Sequence, residues 1–205
     1  LANVENVTVA GAFTFDFGSQ TEALDITGNA DGSTISGSLS DDMINGGGGN
    51  DVINGSLGAD IITGGAGADF LFGGLGDDTF NVDDSDRIQG DAGDDTAAFT
   101  AAVVAANLTD GDLATVENVT VAGAFTFDFS NQNERLNITG NGDGNTIVGG
   151  NGDDTIAGGA GADTLTGGVG ADDLEGGAGN DTLNVDERDT IDGGADNDTA
   201  AFTAA

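Results

Sequence analysis

A nine-residue unit with glycines at fixed positions repeats through much of the chain. From Gly37 the consecutive units read GSLSDDMIN, GGGGNDVIN, GSLGADIIT, GGAGADFLF and GGLGDDTFN, and from Gly149 they read GGNGDDTIA, GGAGADTLT, GGVGADDLE and GGAGNDTLN. Seven of them fit the pattern G-G-x-G-x-D-x-U-x, where U is a large apolar residue. One apolar residue in nine cannot bury itself alone, so the units must stack, as they do in solenoid proteins.

A longer repeat encloses the nonapeptides. VENVTVAGAFTFDF at Val4–Phe17 recurs unchanged at Val116–Phe129, and TAAFTAA at 96–102 recurs at 199–205. We therefore predict two tandem modules, and we expect the segment to come from a longer array. Module 1 is residues 1–112, with lead-in strands 1–27, nonapeptides 28–81 and a closing segment 82–112; module 2 is residues 113–205, with the corresponding parts 113–139, 140–184 and 185–205.

Each nonapeptide divides into a six-residue glycine turn and a three-residue strand. Because side chains alternate along a strand, only the central strand residue faces inward. The predicted inward column is Ile35, Ile44, Ile53, Ile62, Leu71 and Phe80 in module 1, and Ile147, Ile156, Leu165, Leu174 and Leu183 in module 2. We expect the lead-in segments to form wider coils of the same solenoid. Their predicted core residues are Phe13, Phe15, Phe17, Phe125, Phe127 and Phe129, and at most a short helix fits Val103 to Ala114.

The charge composition excludes several classes of function. The chain has 37 acidic and 3 basic residues, so nucleic acid and anionic membrane surfaces would repel it. It has no His and no Cys, which removes the commonest zinc, copper and iron ligands and any disulfide. No apolar run approaches the roughly 18 residues that cross a membrane. Acidic residues spaced regularly along a glycine-rich chain instead favour a hard divalent cation as partner.

The repeats resemble the RTX family, the haemolysin-type calcium-binding nonapeptide repeats of exported bacterial proteins. The resemblance implies an all-β fold, a right-handed parallel β-roll or β-solenoid with calcium-binding GGxGxD turns. Two nonapeptides would form one coil of the solenoid, with two thin parallel sheets. Aspartates at position six would then stack in rows at the strand spacing of roughly 4.8 Å.

Calcium is the cation that such turns suit, because it accepts 6–8 oxygen ligands from carboxylates and backbone carbonyls. We expect about seven ions, roughly four in module 1 and three in module 2. The opening turns are doubtful sites, since Ser33 and Asn145 stand at position six and Asp31 and Asp143 at position four. The predicted side-chain ligands are Asp42, Asp51, Asp60, Asp69, Asp78, Asp95, Asp154, Asp163, Asp172, Asp181 and Asp198. The predicted backbone ligands are in the turns of Gly46, Gly49, Gly64, Gly67, Gly73, Gly76, Gly149, Gly152, Gly158, Gly161, Gly167, Gly170, Gly176 and Gly179.

Catalysis is not expected, because nothing singles out an acid–base pair in a chain without His, Cys, Lys or Tyr. We expect a calcium-stiffened structural region of a cell-surface or extracellular protein, such as an S-layer, surface fibril or adhesin, exported by type I secretion as the resemblance implies. Several outward strand positions carry apolar residues, and these favour self-association into a filament or layer. They are Met43, Val52, Ile61, Phe70 and Phe72. Two alternatives remain open: an accessory domain of a secreted hydrolase or toxin, and an ice-binding adhesin segment using the column Thr146, Thr164 and Thr182.

Overall fold

The computed structural model describes residues 4–100 and 112–202, and the chain divides into two compact units. Unit 1 comprises Leu1–Ala98 and Gly111–Val116, and unit 2 comprises Phe99–Asp110 and Glu117–Ala205. Within the described ranges the regular structure consists of strands alone, with no helix. Strands pair in parallel in both units, so each unit is a parallel β-solenoid.

Two sheets build unit 1, and successive strands alternate between them. One sheet contains β1 (Asn6–Thr8), β3 (Asp25–Asn29), β5 (Met43–Gly48), β7 (Ile61–Ala66), β9 (Thr79–Val82) and β11 (Thr96–Phe99, whose last residue belongs to unit 2). The other sheet contains β2 (Thr14–Asp16), β4 (Thr34–Ser36), β6 (Val52–Leu57), β8 (Phe70–Leu75), β10 (Arg87–Ala92) and β12 (Leu113–Ala114).

Unit 2 has the same alternation. One sheet contains β13 (Asn118–Val121), β15 (Asn137–Asn141), β17 (Thr155–Ala160), β19 (Asp173–Ala178) and β21 (Thr190–Ala195). The other contains β14 (Thr126–Asp128), β16 (Thr146–Val148), β18 (Thr164–Thr166), β20 (Thr182–Val185) and β22 (Thr199–Phe202).

The pairing register gives the length of each coil. In the nonapeptide region Ile44 pairs with Ile62 and Leu165 with Leu183, which confirms the predicted coil of two nonapeptides. The lead-in coils are wider, as predicted, because Val7 pairs with Ile26 and Phe15 with Ile35. The closing coils are one residue shorter than the nonapeptide coils, since Leu71 pairs with Ile88.

The predicted inward column forms the core of each unit. Its members are all at most 1% exposed: Ile35, Ile44, Ile53, Ile62, Leu71, Phe80, Ile147, Ile156, Leu165, Leu174 and Leu183. Burying an aliphatic or aromatic side chain of this size contributes roughly 1.5–3 kcal/mol. The column therefore gives each coil a hydrophobic contribution that a single nonapeptide could not obtain.

The prediction that six lead-in phenylalanines fill the core is wrong for Phe13 and Phe125, which are 63% and 44% exposed. Strand alternation starts only at Thr14 and Thr126, so the residues before them lie in the preceding turn. The Phe13 ring packs edge-on against Phe15, with the ring centroids 6.3 Å apart. The helix considered for Val103 to Ala114 falls mostly outside the described residues, and Leu113–Ala114 is strand β12.

The outward apolar residues lie on the predicted faces of unit 1. Val52 and Phe70 are paired neighbours on one sheet, and Met43 and Ile61 are paired neighbours on the other. All four are between 39% and 53% exposed, whereas Phe72 is half-buried. These pairs form two small apolar surfaces in a chain with a net charge of −34.

Candidate metal centre

Nearly all the predicted ligand aspartates are buried. Each stands just before a strand, at the end of the glycine turn, where its side chain folds back under that turn. Ten of them are at most 3% exposed, and only Asp198 is partly exposed. The ten are Asp42, Asp51, Asp60, Asp69, Asp78, Asp95, Asp154, Asp163, Asp172 and Asp181.

The aspartates form rows along the edges of the solenoid, as the coil of two nonapeptides predicts. The backbone N–H of Asp42 donates to Oδ1 of Asp60 at 2.7 Å, and that of Asp60 donates to Oδ1 of Asp78 at 2.8 Å. The N–H of Asp78 continues the row to Oδ1 of Asp95. Parallel rows join Asp51 to Asp69, Asp154 to Asp172, Asp163 to Asp181 and Asp181 to Asp198.

The second carboxylate oxygen of many of these residues has no hydrogen-bond donor. The buried Oδ2 atoms that accept no hydrogen bond include those of Asp51, Asp60, Asp69, Asp78, Asp163, Asp172 and Asp181. A buried carboxylate oxygen without a partner is costly unless a cation compensates it. Calcium is bound by oxygen atoms of this kind, so these residues fit the ion.

Glycines at position one make space for the unpaired oxygens. A methyl carbon placed on Gly46 would lie 2.5 Å from Oδ2 of Asp51 and 2.7 Å from the carbonyl oxygen of Gly64, one coil further on. On Gly158 it would lie 2.5 Å from Oδ2 of Asp163 and 2.8 Å from the Gly176 carbonyl oxygen. A carboxylate oxygen and a carbonyl oxygen from adjacent coils therefore face the same small space.

Glycine is needed at the other turn positions for a different reason. At position two, Gly65 has a φ of 105°, a left-handed conformation that glycine adopts without strain. Five predicted position-four glycines also have positive φ: Gly49, Gly67, Gly76, Gly161 and Gly179. Gly152 and Gly170 do not, but a methyl carbon there would collide with backbone of the preceding coil. Seven predicted glycines, all at position one, lie against their own aspartates: Gly46, Gly64, Gly73, Gly149, Gly158, Gly167 and Gly176.

Burial raises the pKa values of several row aspartates in the metal-free protein. It raises the pKa of Asp60 to about 7 and that of Asp78 to about 6, with smaller contributions from neighbouring carboxylates. The pKa of Asp172 also rises to about 6, again mainly through burial. The pKa values of Asp51 and Asp163 rise for the same reason. Backbone N–H donors lower these pKa values without cancelling the effect of burial.

The opening turns differ from the repeated ones. Oδ2 of Asp42 accepts the N–H of Ser38 at 2.5 Å, and Oδ2 of Asp154 accepts the N–H of Gly150 at 2.7 Å. One coil earlier than Asp51 and Asp163, Ser33 and Asn145 donate their backbone N–H groups to the rows but bring no carboxylate. The rows of Asp42 and Asp154 therefore begin with a carboxylate that accepts protein hydrogen bonds at both oxygens, whereas Asn145 has a buried Oδ1 that accepts none.

Two aspartates of the rows were missed by the sequence reasoning. Asp86 is 2% exposed and accepts the N–H groups of Asp69 and Asp83, each at 3.1 Å. Asp189 occupies the same place in unit 2 and accepts from Asp172 at 3.1 Å and from Asp186 at 2.7 Å. The signal was present, because each precedes an inward isoleucine by two residues, as position six does.

Side chains alone do not complete a metal site. Among the residues that the structure describes, no group of three or more acidic side chains is arranged to hold a metal ion. A cation in the rows would therefore need backbone carbonyl oxygens as well. In those same residues there is no helix long and apolar enough to cross a bilayer.

The comparison with known protein families agrees with this geometry. A model of the RTX calcium-binding nonapeptide repeat matches residues 25–53, 45–80, 80–97, 139–174, 148–183 and 166–200, which together cover more than half of the chain. A search of curated proteins found no match. Repeats of this kind bind calcium and form structural domains rather than catalytic ones. The chain therefore belongs to the RTX calcium-binding nonapeptide repeat family.

Proposed function

We propose that calcium ions bind between successive turns of each row, and that they couple folding of this structural repeat region to the calcium-rich space outside the cell. RTX repeats are typically found in secreted proteins, and we assign the chain to the cell surface or the extracellular matrix. Type I secretion and the division into modules 1–112 and 113–205 are parts of the same proposal.

The unpaired buried Oδ2 atoms are the observation on which the calcium sites rest. In the proposed sites these atoms and the carbonyl oxygens of the turn glycines are the ligands. The repeated turns are the strongest sites, whereas Asp42 and Asp154 already receive N–H donors at Oδ2. Counting the pairs of turns that lie one coil apart gives about seven ions.

Electrostatics explains why the metal-free rows oppose folding. Two carboxylates about 5 Å apart repel by roughly 0.8 kcal/mol in water and about 3 kcal/mol at an effective dielectric constant of 20. Extracellular calcium modules have dissociation constants of roughly 10⁻⁴–10⁻³ M. Calcium at ten times the dissociation constant stabilises the folded state by about 1.4 kcal/mol per site. Several such sites together match the whole stability of a typical domain.

A calcium titration of metal-free protein tests this proposal. Far-ultraviolet circular dichroism should change from a disordered to a β-rich spectrum at millimolar calcium, and equal magnesium should have a much smaller effect. The double variant Asp60→Asn and Asp163→Asn should require more calcium. The control, Asp25→Asn with Asp173→Asn, removes the same charge at two exposed strand positions and should titrate like the wild type. An identical β-rich spectrum after thorough chelation at neutral pH would contradict the proposal.

Self-association through the apolar faces of unit 1 is the second part of the proposal. Val52, Phe70 and Phe72 are neighbours on one sheet, where Arg87 lies 5.6 Å from the Phe70 ring centroid and covers part of it. Changing Phe70 and Phe72 to Ser should reduce lateral assembly in calcium. If light scattering and sedimentation were unchanged in that variant, this face would not be an assembly surface.

One observation on unit 2 favours the ice-binding alternative, and another argues against it. The threonine column extends to five residues, Thr126, Thr146, Thr164, Thr182 and Thr199, on one sheet of unit 2. The adjacent outward column reads Asp128, Val148, Thr166, Asn184 and Ala201 and has no repeated side chain. A regular two-dimensional lattice is therefore lacking, and we retain the structural function.

A further inference from the structure

The opening turn of module 2, residues 140–145, has an asparagine at position six, where the repeated turns have aspartate. Asn145 is 2% exposed, and its backbone N–H donates to Oδ1 of Asp163 at 2.7 Å. The N–H of Asp163 donates in turn to Oδ1 of Asp181, so Asn145 is the first member of this row. Its carboxamide therefore stands where each later turn of the row places a carboxylate.

The two polar atoms of the Asn145 side chain have different surroundings. Nδ2 donates to the carbonyl oxygen of Gly123, in the lead-in coil, at 2.8 Å. The opposite orientation of the amide would bring two oxygen atoms to that distance, so Nδ2 is the atom that faces Gly123. Oδ1 points away from Gly123, is buried, and accepts no hydrogen bond from the residues that the structure describes. A buried amide oxygen in this situation is costly unless a ligand compensates it.

Oδ1 of Asn145 faces the same kind of space as the unpaired oxygens of the aspartates. A methyl carbon placed on Gly140 would lie 3.0 Å from Oδ1 of Asn145 and closer still to the carbonyl oxygen of Gly158, one coil further on. A methyl carbon on Gly158 would likewise approach Oδ2 of Asp163 and the carbonyl oxygen of Gly176. Two oxygen atoms from adjacent coils therefore meet at this opening turn, as they do at the repeated turns.

The opening turn of module 1 lacks this oxygen. Ser33 occupies position six there, and its hydroxyl donates to the carbonyl oxygens of Asp31 at 3.2 Å and Gly11 at 3.5 Å. A methyl carbon on Gly28 would meet backbone atoms first, such as the Gly46 carbonyl oxygen, rather than the Ser33 hydroxyl. The two opening turns thus differ by one buried side-chain oxygen.

We propose that Oδ1 of Asn145 is a calcium ligand, and that the opening turn of module 2 binds an ion which the opening turn of module 1 does not bind. The carbonyl oxygen of Gly158 is the ligand from the adjacent coil. Side-chain amide and backbone carbonyl oxygens are both ordinary calcium ligands. The inference rests on the calcium sites proposed above, and it distinguishes two turns whose sequences leave them equally doubtful as sites.

The carboxamide gives this site a different affinity from the aspartate sites. Asn145 has no charge, so it adds no repulsion to Asp163 in the metal-free row. It also attracts a cation less strongly than a carboxylate does, because calcium affinity depends on the charge of the ligands. We therefore expect the opening site of module 2 to fill at higher calcium concentration than the sites between the repeated turns.

Crystals of the full chain grown in calcium test the assignment through anomalous difference maps. Calcium scatters anomalously and water does not, so the map separates an ion from an ordered water molecule at Oδ1. We expect a peak beside Asn145 and none beside Ser33. Asn145→Ser gives module 2 the position-six residue of module 1 and should lose this peak alone. Ser33→Asn makes the reverse change and should gain a peak in module 1.

Equilibrium dialysis in saturating calcium counts the ions in solution. Relative to the wild type, Asn145→Ser should bind one ion fewer, Ser33→Asn one ion more, and the double variant the same number. The ion lost in Asn145→Ser should be the last to bind in the wild-type isotherm. Both substitutions keep the backbone N–H that begins each row, and circular dichroism in calcium checks that the variants fold.

The maps keep this inference and the proposed function apart. Peaks between the repeated turns with none beside Asn145 would overturn the inference alone, whereas empty rows would contradict the calcium function itself. A peak beside Ser33 in the wild type, an unchanged ion count in folded Asn145→Ser, or no gain in folded Ser33→Asn would each overturn the inference as well. If Asn145→Ser does not fold, the wild-type map still decides the assignment, because it contains both opening turns.

Discussion

At the scale of single residues, the two carboxylate oxygens of the position-six aspartate have different roles. Oδ1 accepts a backbone N–H from the preceding coil, as Asp60 does from Asp42 at 2.7 Å, and so fixes the row. In the repeated turns, Oδ2 of residues such as Asp60 and Asp163 faces the space left by the position-one glycine and accepts no hydrogen bond from the protein. The glycine is thus part of the proposed site even though its φ is not in the left-handed region.

Replacing Gly158 by Ala tests that role of glycine. The new methyl carbon would lie 2.5 Å from Oδ2 of Asp163 and 2.8 Å from the Gly176 carbonyl oxygen, so both must move. We expect a loss of about 1–3 kcal/mol in the free energy of unfolding in calcium, comparable to overpacking a core. Gly142→Ala is the matched control, because nothing lies within 4 Å of a methyl carbon there. Equal urea midpoints for the two variants would refute the steric explanation.

At the scale of the strand and its turn, much of the architecture could be predicted from the nine-residue period. The period identifies the inward residue of every nonapeptide, such as Ile156, and the rows of aspartates that recur once in each coil. It does not give the strand lengths, because strands such as Met43–Gly48 continue into the glycine turn that follows. Asp86 and Asp189 were not predicted as members of the rows. The closing coils are one residue shorter than the nonapeptide coils, so these two aspartates are out of phase with the nine-residue period.

The rows predict how the metal-free fold depends on pH. Burial raises the folded-state pKa of Asp60 to about 7 and those of Asp78 and Asp172 to about 6, above the ordinary value of 3.8. Between pH 4 and 7 the folded state therefore binds more protons than the unfolded state, and its stability falls as pH rises. We expect metal-free protein to show more β structure in far-ultraviolet circular dichroism at pH 5 than at pH 8, where the chain should be unfolded. A metal-free stability that increased over this range would contradict the assigned burial of the rows.

At the scale of the whole molecule, the net charge of −34 is distributed unevenly. Buried acids line the turn edges, whereas the outward faces of the unit 1 sheets are largely Thr, Asn, Ser and apolar residues. Charge therefore opposes folding mainly at the edges, where the proposed ions bind, and leaves the sheet faces available for contact. Screening of the charges by salt and binding of calcium at the proposed sites should consequently affect folding of the chain differently.

We expect calcium to fold the chain, and we expect salt alone not to fold it. At 1 M NaCl the screening length is only about 3 Å, which removes most long-range repulsion but supplies no ligand to a buried Oδ2 atom. We expect metal-free chain at neutral pH to stay expanded in 1 M NaCl, near the roughly 49 Å radius of gyration of an unfolded chain of 205 residues. A few millimolar calcium at low salt should contract it markedly in small-angle X-ray scattering, and equal magnesium should not. If NaCl alone produced the same contraction, diffuse screening would account for folding and the calcium sites between the turns would not be needed.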